Sequence, residues 1–214
     1  MRIWQALHAA TVKIFDTMRH SEDLKYVRNT IMKLVFASDL HGSLSATEQV
    51  LERFEQKGAQ WLVLLGDFLN HGPRNPLPER YQPADVATRL NDYASRIIAV
   101  RGNCDSEVDQ MLLNFPVTAP WQQILLPDCR LFLTHGHLFH PQQRPALNAG
   151  DVLVYGHTHI PVAERCDDIV CFNPGSASLP KGGFPASYGV LEDGVLQVLP
   201  LSGGAPIAQV QVTH

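Results

Sequence analysis

Two stretches of this chain carry paired histidines, Leu133-Thr-His-Gly-His137 and Tyr155-Gly-His-Thr-His159. In each, an apolar run stops and two imidazoles follow one residue apart, a composition that packs poorly in a core and binds metal well. Three earlier apolar runs end the same way, in Ser38-Asp-Leu-His41, Gly66-Asp67 and Gly102-Asn103. Taken one at a time these signals have ordinary readings: a core or surface histidine, a Gly-Asp turn, a helix N-cap at Asn103. Together they place a donor at five successive strand ends, which points to a metal centre. The candidate ligands are Asp39, His41, Asp67, Asn103, His135, His157 and His159. Mixed Asp, His and Asn donors with no thiolate pair select Mn, Fe(II) or Zn. Seven donors are too many for one catalytic ion that keeps an open position, and suit two ions sharing a bridging carboxylate.

Such distant residues meet only if the elements before them point the same way. From Met32 the pattern reads strand 33–38, helix about 45–57, strand 60–65, irregular loop 68–82, helix 83–95 and strand 96–101. Alternating strand and helix periods predict parallel β-α-β units with helices on both faces, whose ligands gather beyond the carboxyl ends of the strands. After a short helical piece at 106–113 come strands with short connections, at about 121–126, 130–134, 151–155, 162–166, 169–172, 187–191, 194–199 and 206–212. An α/β half followed by a β-rich half predicts two packed sheets.

At 214 residues and 45% apolar, the chain suits one domain with a full core. A net charge of −4 and a pI near 6.2 argue against an extended nucleic-acid groove. The longest apolar runs, Trp61–Leu65 and Ile97–Val100, fall far short of a membrane span. Cys104, Cys129, Cys166 and Cys171 lack the spacing of a disulfide scaffold, and no secretory signal precedes them, so a cytoplasmic setting is expected. A hairpin turning at Asp167-Asp168 would bring Cys166 and Cys171 near each other, with strand packing favoured over any function. Residues 1–31 carry a helix-like stripe (Trp4, Leu7, Thr11, Ile14, Met18) and read either as an extension upstream of a start at Met32 or as a docking helix. Either way they are expected to be dispensable for chemistry, with 32–214 forming the single functional domain.

The order D-x-H, G-D, G-N, H-G-H, G-H-x-H resembles the calcineurin-like metallophosphoesterase superfamily. Ser-Asp-Leu-His-Gly, Val-Arg-Gly-Asn-Cys-Asp, Leu-Thr-His-Gly-His, Tyr-Gly-His-Thr-His and Asn-Pro-Gly-Ser make it most similar to the small bacterial YfcE-type phosphodiesterases. The resemblance covers Met32 to about Ser178. It implies a four-layer α/β/β/α sandwich of two mixed β-sheets flanked by helices, and a metal-dependent phosphoric diester hydrolase acting on a small soluble phosphodiester. It implies two divalent ions per chain, Mn first, with Fe, Zn, Ni or Mg as alternatives. Asp39, His41 and His159 would hold one ion, Asn103, His135 and His157 the other, and Asp67 would bridge them. A hydroxide between the ions would attack phosphorus in line with the leaving group. Many members have histidine where Cys104 stands, so the resemblance puts leaving-group assistance in doubt; Cys104, Asp105 and Arg101 are the candidate catalytic positions. Arg74 and His71, in the proline-rich loop 70–78, are candidate substrate contacts, His137 orients a ligand, and Asn173-Pro-Gly-Ser176 shapes a nearby turn. The relatives imply self-association. Two other readings stay open: a phosphomonoesterase with the same metals, and a protein-binding scaffold such as the retromer subunit that shares this fold.

Overall fold

Side-chain alternation along the strands decides which of three apolar layers each residue enters. The structure, a computed structural model, describes residues 32–212; the expected extension 1–31 lies outside them. The first sheet contains β1 (Leu34–Ala37), β2 (Trp61–Leu64), β3 (Ile97–Ala99), β9 (Ser187–Glu192), β10 (Val195–Pro200) and β11 (Ala208–Gln211) in the order β11-β10-β9-β1-β2-β3. Its β1, β2 and β3 are parallel, with Leu34 opposite Trp61 and Leu62 opposite Ile97, and β9 to β11 run antiparallel. The second sheet contains β4 (Trp121–Leu125), β5 (Arg130–Thr134), β6 (Val152–Val154), β7 (Val162–Cys166) and β8 (Ile169–Asn173) in the order β4-β5-β6-β8-β7. Here β5, β6 and β8 are parallel and the two edges antiparallel.

Val35, Ala37, Leu62 and Leu64 face the helical layer, while Leu34, Phe36, Val63 and Leu65 face the second sheet. From that sheet Leu131, Leu133, Val152, Val154, Val170 and Phe172 meet them. Gly189 on β9 is required here: a Cβ would come within 2.6 Å of the Phe172 ring, which packs edge-on to Phe36 at 5.5 Å.

Three helices follow the strands of the first half. In α1 (Leu44–Lys57), the Ser43 hydroxyl accepts from the Ala46 amide at the start and Gly58, at φ 59°, ends the helix; Leu44, Thr47, Val50, Leu51 and Phe54 form the buried face. Helix α2 (Pro83–Asn91) starts with proline in its first turn, and α3 (Glu107–Leu112) begins in a Ser106/Asp109 capping box. The helix expected over 83–95 stops at Asn91 and resumes as a 3-10 turn at Ala94–Arg96.

The expectation of helices on both faces of the parallel unit is corrected. Right-handed crossovers between strands in the monotone order β1-β2-β3 put α1 and α2 on one face, and the second sheet takes the other. The outer face of the second sheet (Phe132, Leu153, Tyr155, Ile169) is covered by Phe139 and Leu147 from the irregular stretch 136–150, with no regular helix there among the described residues. Cys166 pairs with Ile169 and Cys171 with Glu164, and all four cysteines are free thiols. Among the described residues no helix is long and apolar enough to cross a membrane.

Candidate metal centre

The carboxyl ends of β1, β2, β3, β5 and β6 open onto one edge, where backbone bonds continue each sheet past its strand ends. The Asp39 amide donates to Gly66 O (3.2 Å), His41 to Asp67 O (2.9 Å) and Gly156 to His135 O (2.7 Å). Five candidate ligands adopt left-handed backbone: Asp39 (φ 58°), His41 (48°), Asp67 (57°), His157 (65°) and His159 (60°). For residues other than glycine this conformation costs about 1 kcal/mol or more each, least for Asp, Asn and His, and turns each side chain back over the strand ends. The neighbouring chain must come very close. A Cβ on Gly102 would strike the Asp67 carboxylate, and one on Gly156 would strike the Ser38 hydroxyl.

The donors fall into two groups. His159 Nε2 lies 3.2 Å from Asp39 Oδ1 and 3.3 Å from His41 Nε2. His135 Nε2 lies 3.0 Å from Asn103 Oδ1 and 3.2 Å from His157 Nδ1. Asp67 Oδ2 stands between them, 3.7 Å from His41 Nε2 and 3.4 Å from His135 Nε2. Ring tautomers follow from the far nitrogens. Nδ1 of His41 donates to Asn70 O, that of His135 to Leu65 O and that of His159 to Leu179 O, which leaves three Nε2 lone pairs converging on the same space. Asp39 is fully buried and its Oδ1 has no hydrogen-bond partner. A buried acceptor facing convergent lone pairs has no mutual donor to satisfy it, and a cation resolves the arrangement. The donors therefore fit divalent metal.

Electrostatics run in the same direction. Burial works to raise the Asp39 carboxyl, but the His159 and His41 rings beside it and the nearby His135 outweigh it and hold the group well below the usual carboxylate range. Burial works against charge on His135 too, yet Asp67 and Asp39 lift it to about 9; the second proton sits on Nε2, and a bound cation would displace it to recover the lone pair. The Cys104 thiol is pushed up to about 12 by burial and the Asp67 carboxylate, so it is a neutral S–H. Its sulfur lies within 4.8 Å of donor atoms of His41 and Asp67, closer to the centre than the sequence indicates.

The other candidate positions divide. Asp105 is buried behind the site, its Oδ2 accepting from the Gly102 and Asp67 amides (2.6 and 2.8 Å) and its Oδ1 from the Phe68 amide (2.8 Å). Its carboxylate thus faces backbone, and Asp105 is absent from the cleft wall. Arg101 turns away to Asp105 O and the Glu107 carboxylate and does not line the cleft. His71 packs edge-on to Tyr81 at 5.3 Å, with Nδ1 buried and unpartnered, and is also absent from the cleft wall. His137 lies 5.4 Å from the His135 ring and 6.2 Å from that of His157. Asn173 supports the ligand turn by donating to Gly156 O (2.9 Å) and Thr158 Oγ1 (3.0 Å). Arg74 does line the cleft, an opening of about 810 Å³ floored by Asp67, Asn103, His157 and His159. Lys181 lines it as well. Sequence reasoning passed over that residue because it sits in a Pro-Lys-Gly-Gly turn with no donor pattern, and only the hydrogen bond from its amide to His159 O reveals the tie to the site.

Comparison with known proteins agrees with this geometry. Residues 32–193 match the family described as the calcineurin-like phosphoesterase superfamily domain. The chain is 69% identical over 182 residues to Phosphodiesterase YfcE of Escherichia coli strain K12, covering 85% of this chain and 99% of that protein. The solved structure of that E. coli phosphoesterase superposes with a TM-score of 0.84 over 85% of this chain and all of the other. Vacuolar protein sorting 29 from Cryptosporidium parvum shares the fold at 18% identity, with a TM-score of 0.54 over 84% of this chain and 97% of its own.

Proposed function

The chain belongs to the calcineurin-like phosphoesterase superfamily, and on that premise we propose that it is a phosphodiesterase that hydrolyses a small soluble phosphodiester at a dinuclear metal centre. The observation that carries the reading is the convergence of the His41 and His159 Nε2 atoms on the unpartnered Oδ1 of buried Asp39, with His135 Nε2 beside Asp67 Oδ2. Asp39, His41 and His159 would hold one ion and Asn103, His135 and His157 the other, with the Asp67 carboxylate available to both. When bound, divalent ions supply Lewis acidity toward the phosphate and lower the pKa of water, with Mn the proposed metal. The chain's own residues supply the rest. Asp105 holds the Asp67 and Gly102 amides in place, the left-handed turns aim the donors, and the neutral Cys104 thiol offers the leaving oxygen a weak hydrogen bond in place of an imidazolium. Arg74 is the candidate substrate contact that the cleft retains.

Identity to a named phosphodiesterase favours diesters over monoesters. The scaffold reading is weaker, because the likeness to the sorting protein concerns the fold alone, at 18% identity. Residues 32–214 are proposed as the complete functional unit, in a cytoplasmic setting that the free thiols suit.

Metal-stripped protein, with Mn, Mg or Zn added back, is tested on matched aryl diesters and monoesters. Diester cleavage is expected to return, most strongly with Mn. No cleavage with any of these metals removes the enzyme reading, and faster monoester cleavage converts it to a phosphomonoesterase. Asp67→Asn is expected to lose metal occupancy and turnover together. His157→Ala and His159→Ala are expected to loosen different ions, and identical titration losses would contradict the division.

A further inference from the structure

The cleft carries positive charge that the metal ligands leave unused. Among the described residues every arginine except Arg74 makes a side-chain hydrogen bond or ion pair. Lys181 and the helix-end Lys57 are equally free, whereas Lys33 is held by Glu192 at 2.6 Å. Of these three unpaired cations Arg74 and Lys181 line the cleft, and Asp67 on its floor is the one carboxylate among the lining residues. In a chain with 21 acidic residues and a net charge of −4, such a wall runs against the average surface.

Each cation stands on a built turn. Below Arg74 the Gly72 amide donates to Asn70 Oδ1 (2.8 Å) and Asn75 Nδ2 to His71 O (2.9 Å), with Pro73 and Pro76 on either side. The Lys181 amide donates to His159 O (3.1 Å) and its carbonyl accepts from the Phe184 amide (3.3 Å). Both are therefore presented beside the centre on fixed backbone.

A phosphodiester bears one negative charge at the scissile group. Two divalent ions set against Asp39 and Asp67 already leave that position net positive, so the scissile phosphate does not need two more cations. Resting on the phosphodiesterase reading, we propose that Arg74 and Lys181 bind a second anionic group on the arm of the diester that is not expelled. Preferred substrates then carry a carboxylate or phosphate in addition to the diester itself.

The test compares 4-nitrophenyl 3-carboxyphenyl phosphate with its 3-carbamoylphenyl counterpart. They match in size and release the same 4-nitrophenolate, so only the charge of the other arm differs. With Mn-loaded protein at low salt, kcat/KM is expected to be at least about fivefold higher for the carboxylate, mainly through KM, as two exposed ion pairs allow. The preference should fade in 0.5 M KCl, with a Debye length of roughly 4 Å. Arg74→Gln and Lys181→Gln should each lower the ratio of the two kcat/KM values, the double variant should bring it near one, and Lys181→Arg should retain it. Equal kcat/KM for both diesters in the parent, or a preference surviving in the double variant, overturns the inference while leaving the phosphodiesterase intact. If neither diester is cleaved, the phosphodiesterase reading falls and this inference with it.

Discussion

At the scale of single residues, Asp105 and Cys104 show how neighbouring letters take unrelated jobs. Asp105 accepts three backbone amides. Asp105→Asn turns one acceptor into a donor facing an N–H, at a cost of about 2 kcal/mol in stability, and should weaken metal binding roughly tenfold or more through Asp67. Urea unfolding and metal titration check both, and unchanged metal affinity would sever the link. Cys104→His should flatten the dependence of rate on leaving-group pKa by offering a stronger donor. A slope identical to that of the parent across a series of aryl diesters would end that idea. The larger ring must also push back the turn at Gly72, where even a Cβ would lie 2.9 Å from the sulfur. Donor types at strand ends were legible in the sequence because few side chains bind metal. The aim of a carboxylate was not: the letters at 105 and 101 are the same whether the side chain faces the cleft or a backbone amide.

At the scale of elements, period and punctuation located nearly every strand, and α1 begins within one residue of the expected start. What the pattern could not carry was non-local. Placing both helices on one face depends on the strand order β1-β2-β3, and the cover of the second sheet is a stretch with no period at all. Two glycines separate packing from chemistry at this level. Gly189→Ala forces a methyl against Phe172 between the sheets and should cost about 1–3 kcal/mol with metal affinity intact. Gly102→Ala drives its methyl into the Asp67 carboxylate and should abolish tight metal binding even if the protein still folds. Calorimetric titration beside thermal unfolding distinguishes the two, and equal metal affinities would show that the Gly102 approach is not what holds Asp67.

At the scale of the whole molecule, the end of the second sheet remote from the cleft has its own fastening. At the starts of β5 and β6, buried Asp151 accepts from the Arg130 amide and guanidinium (2.7 Å at the shortest) and from the Asn148 amide. Burial works to raise its carboxyl, but those partners outweigh it and hold the group below the ordinary range. A carboxyl depressed in the folded state adds stability above its unfolded pKa of about 3.9, and loses it as pH falls through the folded value. Asp151→Asn should therefore destabilise by about 2 kcal/mol at pH 7, with the gap to the parent closing below about pH 4; a gap constant from pH 7 to pH 3 would contradict it. Since Lys33–His214 cluster as one compact unit, a chain beginning at Met32 should unfold in one transition and keep its diesterase rate, and loss of either would give residues 1–31 a role. The left-handed turns at the metal edge also constrain what this sequence can become. Backbone at 39, 41, 67, 157 and 159 admits Asp, Asn, His or Gly far more readily than any other residue. A descendant released from catalysis could abandon its donors one by one, yet it would drift toward asparagine and glycine, and the outline of the metal edge would outlast the metals.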